Sequence, residues 1–238
     1  MTRLAFIALG LVAVGAVVGA AAASSSGSAR YEPVLSPSNF VAEITNQYYP
    51  LPVGRTWVYN GIKDGQTQTD TVTVLARTKV VAEGIRARVV RDVAKHGSKL
   101  LEKTFDWYAQ DTQGNVWYLG EDTTAYLGNG KTDKSGSWEA GMHDAEPGLI
   151  MEASPRVPDA YRQEYLHGQA EDTAWIVGGR SSVTVPYGTV HHLIHSLEAT
   201  RIEPGLYDKK LYAPGIGIVV ERALTGPTEI AKLVRVKG

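Results

Sequence analysis

Residues 104–121, TFDWYAQDTQGNVWYLGE, decide how this chain is read. They spell two strands joined by a tight turn. Asp111 suits the first position of a type I turn, and Gly114 suits the left-handed position that returns the chain. With Gly114 as a bulge, Gln110 faces Val116, Tyr108 faces Tyr118 and Trp107 faces Leu119. Side chains alternate along a strand, so Phe105, Trp107, Ala109, Trp117 and Leu119 share one face. Asp106, Tyr108, Gln110, Val116 and Tyr118 share the other. The first is a core face. The second is amphipathic rather than solvent-facing, which implies a cover: a second layer or a ligand.

Upstream, Pro50 and Pro52 forbid a central strand, while residues 56–62 alternate, with Trp57 and Tyr59 on one face and Val58 on the other. Residues 31–47 read as an irregular arm with a short helix within 39–46. Strands are expected at 68–77, 85–93 and 100–111, with turns at Gly65 and Gly84. In 85–93, Ile85, Ala87, Val89 and Val93 form the apolar face, and Arg86, Arg88 and Asp92 the solvent face. Downstream, residues 122–156 are rich in Gly, Asp, Lys and Ser yet hold Trp138, Met142, Leu149, Ile150 and Met151. They read as a long irregular excursion. Strands return at 161–167, 172–177, 181–187, 190–202, 206–213, 215–222 and 229–236, separated by Pro- and Gly-containing turns. Short strands with no long amphipathic helix give the fold class: all-β, a single curled antiparallel sheet or half-barrel. Curling limits the exposed edges.

The chain has 238 residues and a formal net charge of −1. Residues 1–23 carry the marks of a signal peptide: Arg3, an apolar run from Leu4 to Val18, and Ala21-Ala22-Ala23 before Ser24. The alternative is an uncleaved anchor, but the second half of the run is Ala and Gly, which makes a weak span. Residues 24–30 read as a flexible tether, and 31–238 as one β-rich domain. This predicts a secreted or periplasmic protein, exported through a cleaved signal peptide, that meets the membrane, if at all, only through an uncleaved signal segment. There is no Cys, which excludes disulfides, thiolate chemistry and a lipid-bearing N-terminal Cys. Charges of both signs are interspersed, so no nucleic-acid or anionic-membrane surface is expected.

Four segments carry a resemblance: YYPLPVGRTWVYNG (48–61), DWYAQDTQGNVWYLGE (106–121), YRQEYLHGQAEDTA (161–174) and EPGLYDKKLYAPGIGIVVE (203–221). They resemble segments of a group of exported bacterial proteins of uncharacterised function. More distantly, the chain resembles the curled antiparallel half-barrels of lipoprotein-carrier and lipid-binding envelope proteins. The resemblance implies an envelope address, a half-barrel and an apolar ligand on the concave face. It transfers no site residue.

Motifs for chemistry are sparse. In VHHLIHS, His191 and His195 lie ~13 Å apart on one strand face while His192 points the other way, so they do not chelate one metal. No H-E-x-x-H, calcium loop or G-x-S-x-G is present, and Gly215-Ile216-Gly217 reads as a turn. Glu164, Glu171, Asp172, Asp106 and Glu121 are acidic, but Asp111 serves the turn and Glu171-Asp172 a solvated strand start. No metal and no cofactor are expected. The remaining signal is aromatic. Tyr108, Gln110, Val116, Tyr118, Trp138 and Tyr165 are the candidate ligand-binding residues, for a lipid or another small apolar or amphipathic molecule. The expected function is that of an exported, non-enzymatic binding protein. The alternatives are an envelope protein–protein interaction module and a metal-assisted hydrolase built on Glu164, His167 and Glu171.

Overall fold

The structure, a computed structural model, describes residues 31–63, 65–81 and 84–238. The expected signal peptide at 1–23 and tether at 24–30 lie outside the described residues. A short 3-10 turn at Pro37–Asn39 precedes β1 (Phe40–Val41), β2 (Thr56–Lys63), β3 (Gln66–Val80), β4 (Arg86–His96), β5 (Lys99–Asp111) and β6 (Val116–Tyr126). Then come β7 (Thr132–Asp133), β8 (Trp138–Glu139), β9 (Glu146–Met151), β10 (Ala160–Arg162) and β11 (Glu164–Tyr165). The last five are β12 (Asp172–Val185), β13 (Gly188–Thr200), β14 (Tyr207–Ala213), β15 (Gly217–Ala223) and β16 (Ile230–Lys237). In place of the helix expected within 39–46, Phe40 and Val41 pair with Asp111 and Gln110 at the edge of β5. Edge pairing overrides a weak helical propensity there.

All pairings are antiparallel, and the strands form one sheet in the order β10-β12-β13-β14-β15-β16-β2-β3-β4-β5-β6-β9-β11. The two ends of that path are neighbours in sequence. β10 pairs with β12, β11 pairs with β9, and only Gln163 separates them. The Gln163 N–H donates to the Asp172 carbonyl at 2.8 Å. One stretch of chain therefore seals the sheet into a nearly closed barrel, which removes its edges. The seam needs Gly148. A Cβ there would stand 2.1 Å from the Gln163 carbonyl carbon.

The excursion is more ordered than its composition implies. β9 is a wall strand between β6 and β11, and β7 and β8 pair with β6. The strands expected at 172–177 and 181–187 are one strand, β12, whose pairing with β13 shifts register between Ile176 and Gly178, Gly179 and Ser181, and Ser181 and Val183.

The β5–β6 turn forms as its sequence dictates. The Asp111 carboxylate accepts the N–H groups of Gln113 and Asn115, both at 2.9 Å, and Gly114 has φ 96°. Gln110 faces Val116 and Tyr108 faces Tyr118. Below them Asp106 pairs with Glu121, so Leu119 and Gly120 together oppose Trp107. This bulge is absent from the sequence reading, which set Trp107 against Leu119 alone. Gly120, at φ 123°, supplies the backbone freedom. The extra residue turns Glu121 onto the same inner surface as Tyr118.

Candidate functional site: a barrel with an aromatic end and a carboxyl ring

The inner surface has two zones. At the end bearing the β5–β6 turn it is aromatic: Trp57, Tyr59, Tyr108, Tyr118 and Tyr212 are buried there. The Tyr108 and Tyr118 rings stack at 4.9 Å, Tyr49 meets Tyr108 edge-on at 5.4 Å, and Trp138 meets Tyr118 edge-on at 5.3 Å. The arm closes this end. Ile44, Asn46, Tyr49 and Leu51 are buried against it. Gln110 Oε1 accepts the N–H groups of Thr45 and Asn46, both at 2.8 Å. Asn46 Nδ2 donates to the carbonyls of Gly114 and Glu152. The hollow left among Tyr49, Leu51, Trp57, Tyr59, Val72 and Ile218 holds about 30 Å³, room for a water and not for a ligand of ordinary size.

The other zone is a ring of carboxyl groups. Asp70, Asp92, Glu102, Asp106, Glu121, Glu164, Asp172 and Glu198 are all buried, with Lys63 and Lys210 among them. They occupy consecutive rungs. Asp70 and Asp92 lie diagonally across β3 and β4, Asp92 faces Thr104, and Thr104 faces Thr123. On the far side Asp172 faces Thr200, Ser196 faces Lys210, and Lys210 faces Glu221. Some groups are satisfied. Tyr118 Oη donates to Asp106 at 3.0 Å, Thr123 Oγ1 to Glu121 at 2.8 Å and Ser196 Oγ to Glu198 at 2.7 Å. Lys210 Nζ lies 2.7 Å from Glu198 and 3.8 Å from Glu221. Others have no protein partner at hydrogen-bond distance: both carboxyl oxygens of Glu164, one each of Glu121 and Asp172, and both side-chain amide atoms of Gln163. Asp70 and Asp92 lie against each other, where a hydrogen bond between them needs one to carry a proton, and the Thr71 backbone also reaches Asp70.

Burial decides the protonation of this ring. It raises Glu102, Asp106 and Asp172 to about 7 and Glu221 to about 8, against the pull of Lys210 on the last. Asp92 is pushed well up by burial and then by Asp70 beside it, Glu121 by burial and Asp106, and Glu164 by burial and Asp172. Burial alone would lower the Lys210 ammonium, but Glu198 and Glu221 carry it above its usual range. At neutral pH the ring is a mixture of carboxylic acids and carboxylates around two buried lysines, Lys63 and Lys210. Such a surface both donates and accepts hydrogen bonds.

Of the six residues expected to bind a ligand, Tyr108, Tyr118 and Trp138 form one cluster. Gln110 and Val116 face each other beside it, at the arm. Tyr165 is not with them. Its ring lies under the Arg162 guanidinium at 4.7 Å and meets Tyr31 at 6.1 Å, with Tyr31 hydrogen-bonded to the Pro147 carbonyl. Asp92, expected in solvent, is buried, because β4 places it in line with Val90 and Ala94 on the inner surface. The acidic start at 171–172, expected to be solvated, is also buried: Glu171 caps the hairpin by accepting from Gly168 N, and Asp172 faces inward.

The hydrolase constellation does not assemble. Glu164 is inside the barrel, whereas the His167 side chain is 88% exposed and only Glu171 accompanies it, at 3.1 Å. Among the described residues no three His, Asp or Glu side chains are placed to hold a metal ion. His191 and His192 stand exposed on β13, and His195 hydrogen-bonds Ser181.

The residues that sequence reasoning missed are those of the ring and Gln163. A signal was present. Asp92 shares strand parity with Val90 and Ala94, Asp106 with Tyr108, and Glu198 with Ser196 and Thr200. Acids in step with the core positions of several strands mark a polar interior rather than a wet outer face.

Two solved structures resemble this fold. One, from Bacteroides fragilis NCTC 9343 and described as an exported protein with a YmcC-like fold, is 17% identical, with 81% of this chain and 100% of that chain covered and a TM-score of 0.48. The other, from Parabacteroides distasonis ATCC 8503 and described as a lipoprotein, is 13% identical, with 81% and 99% covered and a TM-score of 0.43. No family model and no curated protein sequence matches the chain.

Proposed function

We propose that this protein is exported and serves as a non-catalytic binding protein, holding a small amphipathic molecule in its barrel. The observation that carries the reading is the set of orphaned polar atoms at the carboxyl ring. Buried polar groups are almost always hydrogen-bonded, and an unpaired one costs about 1–3 kcal/mol. Glu164 and Gln163 are fully buried at the seam; the Gln163 side-chain amide has no protein partner, and Glu164 has none beyond the Trp138 indole. The Trp138 indole faces Glu164 from the aromatic side. A molecule with hydroxyl or amine donors at one end satisfies these groups, and its apolar end lies against Trp138 and Tyr118. The ring thus takes the role that the sequence alone gave to the aromatic wall. The proposal of export rests on the N-terminal apolar run and the small residues after it.

Native mass spectrometry of the exported protein, purified without organic solvent, tests the reading. A non-covalent adduct of small-molecule mass is expected. It should be lost in the variant Gln163→Leu, whose melting temperature is measured alongside. Adduct-free protein that also takes up no amphipathic fluorescent dye would overturn it.

A further inference from the structure

The outer surface of the sheet carries a second feature, unrelated to the barrel interior. A groove of about 380 Å³ runs between the end of the β12–β13 hairpin and the outward faces of β14, β15 and β16. One wall is hydroxylic, from Ser181, Ser182 and Thr184. The other is cationic, from Lys209, Arg222 and Lys232. Val183, Leu211, Val220 and Ile230 supply apolar surface between them.

The charge arrangement is unfavourable as it stands. Lys209 and Arg222 are direct cross-strand partners, and like charges in that relation repel. Lys232 is a diagonal neighbour, because Arg222 faces Ile230 and Val220 faces Lys232. No carboxylate lines the groove, and among the described residues none of the three cations forms an ion pair. The opposite wall is built at a cost in regularity. β12 and β13 shift register repeatedly before Val183, and Arg180 and His192 have φ 59° and 58°, a conformation disfavoured for such residues. These departures bring the hydroxyls over the cations.

We propose that this groove binds a small organic phosphate. A guanidinium and two ammonium groups match the oxygens of a tetrahedral anion, and the apolar strip covers the attached group. The facing hydroxyls of Ser181, Ser182 and Thr184 are already hydrogen-bonded to His195, His191 and Thr189, so the cations carry the recognition. The phosphate belongs either to a phospholipid headgroup or to a free phosphate ester. Both offer the same chemistry to the cations, and the experiment separates them.

The full chain, purified after export, is titrated calorimetrically at physiological ionic strength with inorganic phosphate and with a short-chain phosphatidic acid kept monomeric. Flotation with phosphatidylcholine vesicles, with and without phosphatidic acid, runs in parallel. Saturable binding of the short-chain phosphatidic acid is expected. Arg222→Gln should weaken it about tenfold, and Lys209→Gln with Lys232→Gln at least as much. A control lacking three exposed cations elsewhere, Lys95→Gln, Lys99→Gln and Lys237→Gln, should bind as the parent does. Vesicle flotation that depends on the groove residues assigns the phosphate to a membrane headgroup. Saturable binding without flotation assigns it to a free ester. Absence of saturable binding to either phosphate probe, or an equal loss in the control, would overturn the proposal.

Discussion

At the scale of single residues, Asp111 shows how one side chain fixes a hairpin. Its carboxylate accepts from the N–H groups of Gln113 and Asn115, from Asn115 Nδ2 and from Trp117 Nε1, each at 2.9 Å. The first two bonds set the turn, and the last ties the turn to the outer face of β6. Asp111→Ala removes them all and leaves the Trp117 indole to water. Since a hydrogen bond to a charged group contributes about 1.5–3 kcal/mol and part of this set is solvent-accessible, a loss of about 2 kcal/mol is expected. Urea unfolding measures it. A loss indistinguishable from zero would mean that Gly114 and the strand pairing alone specify the turn. Gly120 acts differently. Its φ of 123° permits the bulge that aims Glu121 inward, and a Cβ there would stand 2.4 Å from the Trp138 carbonyl oxygen. A turn residue and a bulge residue thus make the same hairpin both a structural unit and a wall of the candidate site.

At the scale of elements, the arm and the seam divide what the sequence could and could not say. Long strands bounded by glycines were legible because alternation and turn chemistry are local. The seam was not. β10 and β11 are too short to show a period, and each pairs with a strand on a different side of the barrel. β9 was hidden for a related reason. Pro147 and Gly148 read as chain breakers, yet Pro147 faces Glu164 and Gly148 lies where the closing chain passes. Tyr108 and Tyr118 were legible as sheltered residues. The carboxyl ring was not read, because within any one strand an acid among alternating residues looks like a solvent-facing position; only the shared parity of acids with core positions across several strands marks the polar interior. The arm's role as a plug came only with the geometry, through Gln110. Replacing Gln110 by Ala leaves the Thr45 and Asn46 N–H groups without their acceptor. Hydrogen exchange should then show loss of protection at those two amides and around Tyr49, with a stability loss of about 1–3 kcal/mol. Amides of β4 and β5 should keep their protection. Loss across the whole barrel would show that the arm is part of the folding core rather than a separable plug.

At the scale of the whole molecule, the near-neutral chain conceals a charge separation: both signs outside, carboxyl groups inside. This sets the direction of its pH dependence. Glu102, Asp106 and Asp172 are raised to about 7 by burial, whereas unfolded carboxyls titrate near 4. Between those limits the folded chain holds protons that the unfolded chain has released. Their contribution is therefore complete below about pH 4 and is lost as pH rises through about 7. Each buried group is worth on the order of 1–4 kcal/mol across that window. Lys210, also raised, keeps its charge throughout the window and compensates Glu198 and Glu221. The melting temperature should thus be higher at about pH 5 than at about pH 8, the reverse of ordinary acid denaturation. Lys210→Met sharpens the test. At about pH 8 it leaves buried carboxylates uncompensated, a loss in the range of about 3–5 kcal/mol. At about pH 5 Glu221, raised to about 8 by burial, is protonated and the loss shrinks. Circular dichroism melts of parent and variant at both pH values decide the matter. Equal losses at the two pH values, or a parent more stable at the higher one, would mean that the ring is hydrated and ionised rather than dry and protonated.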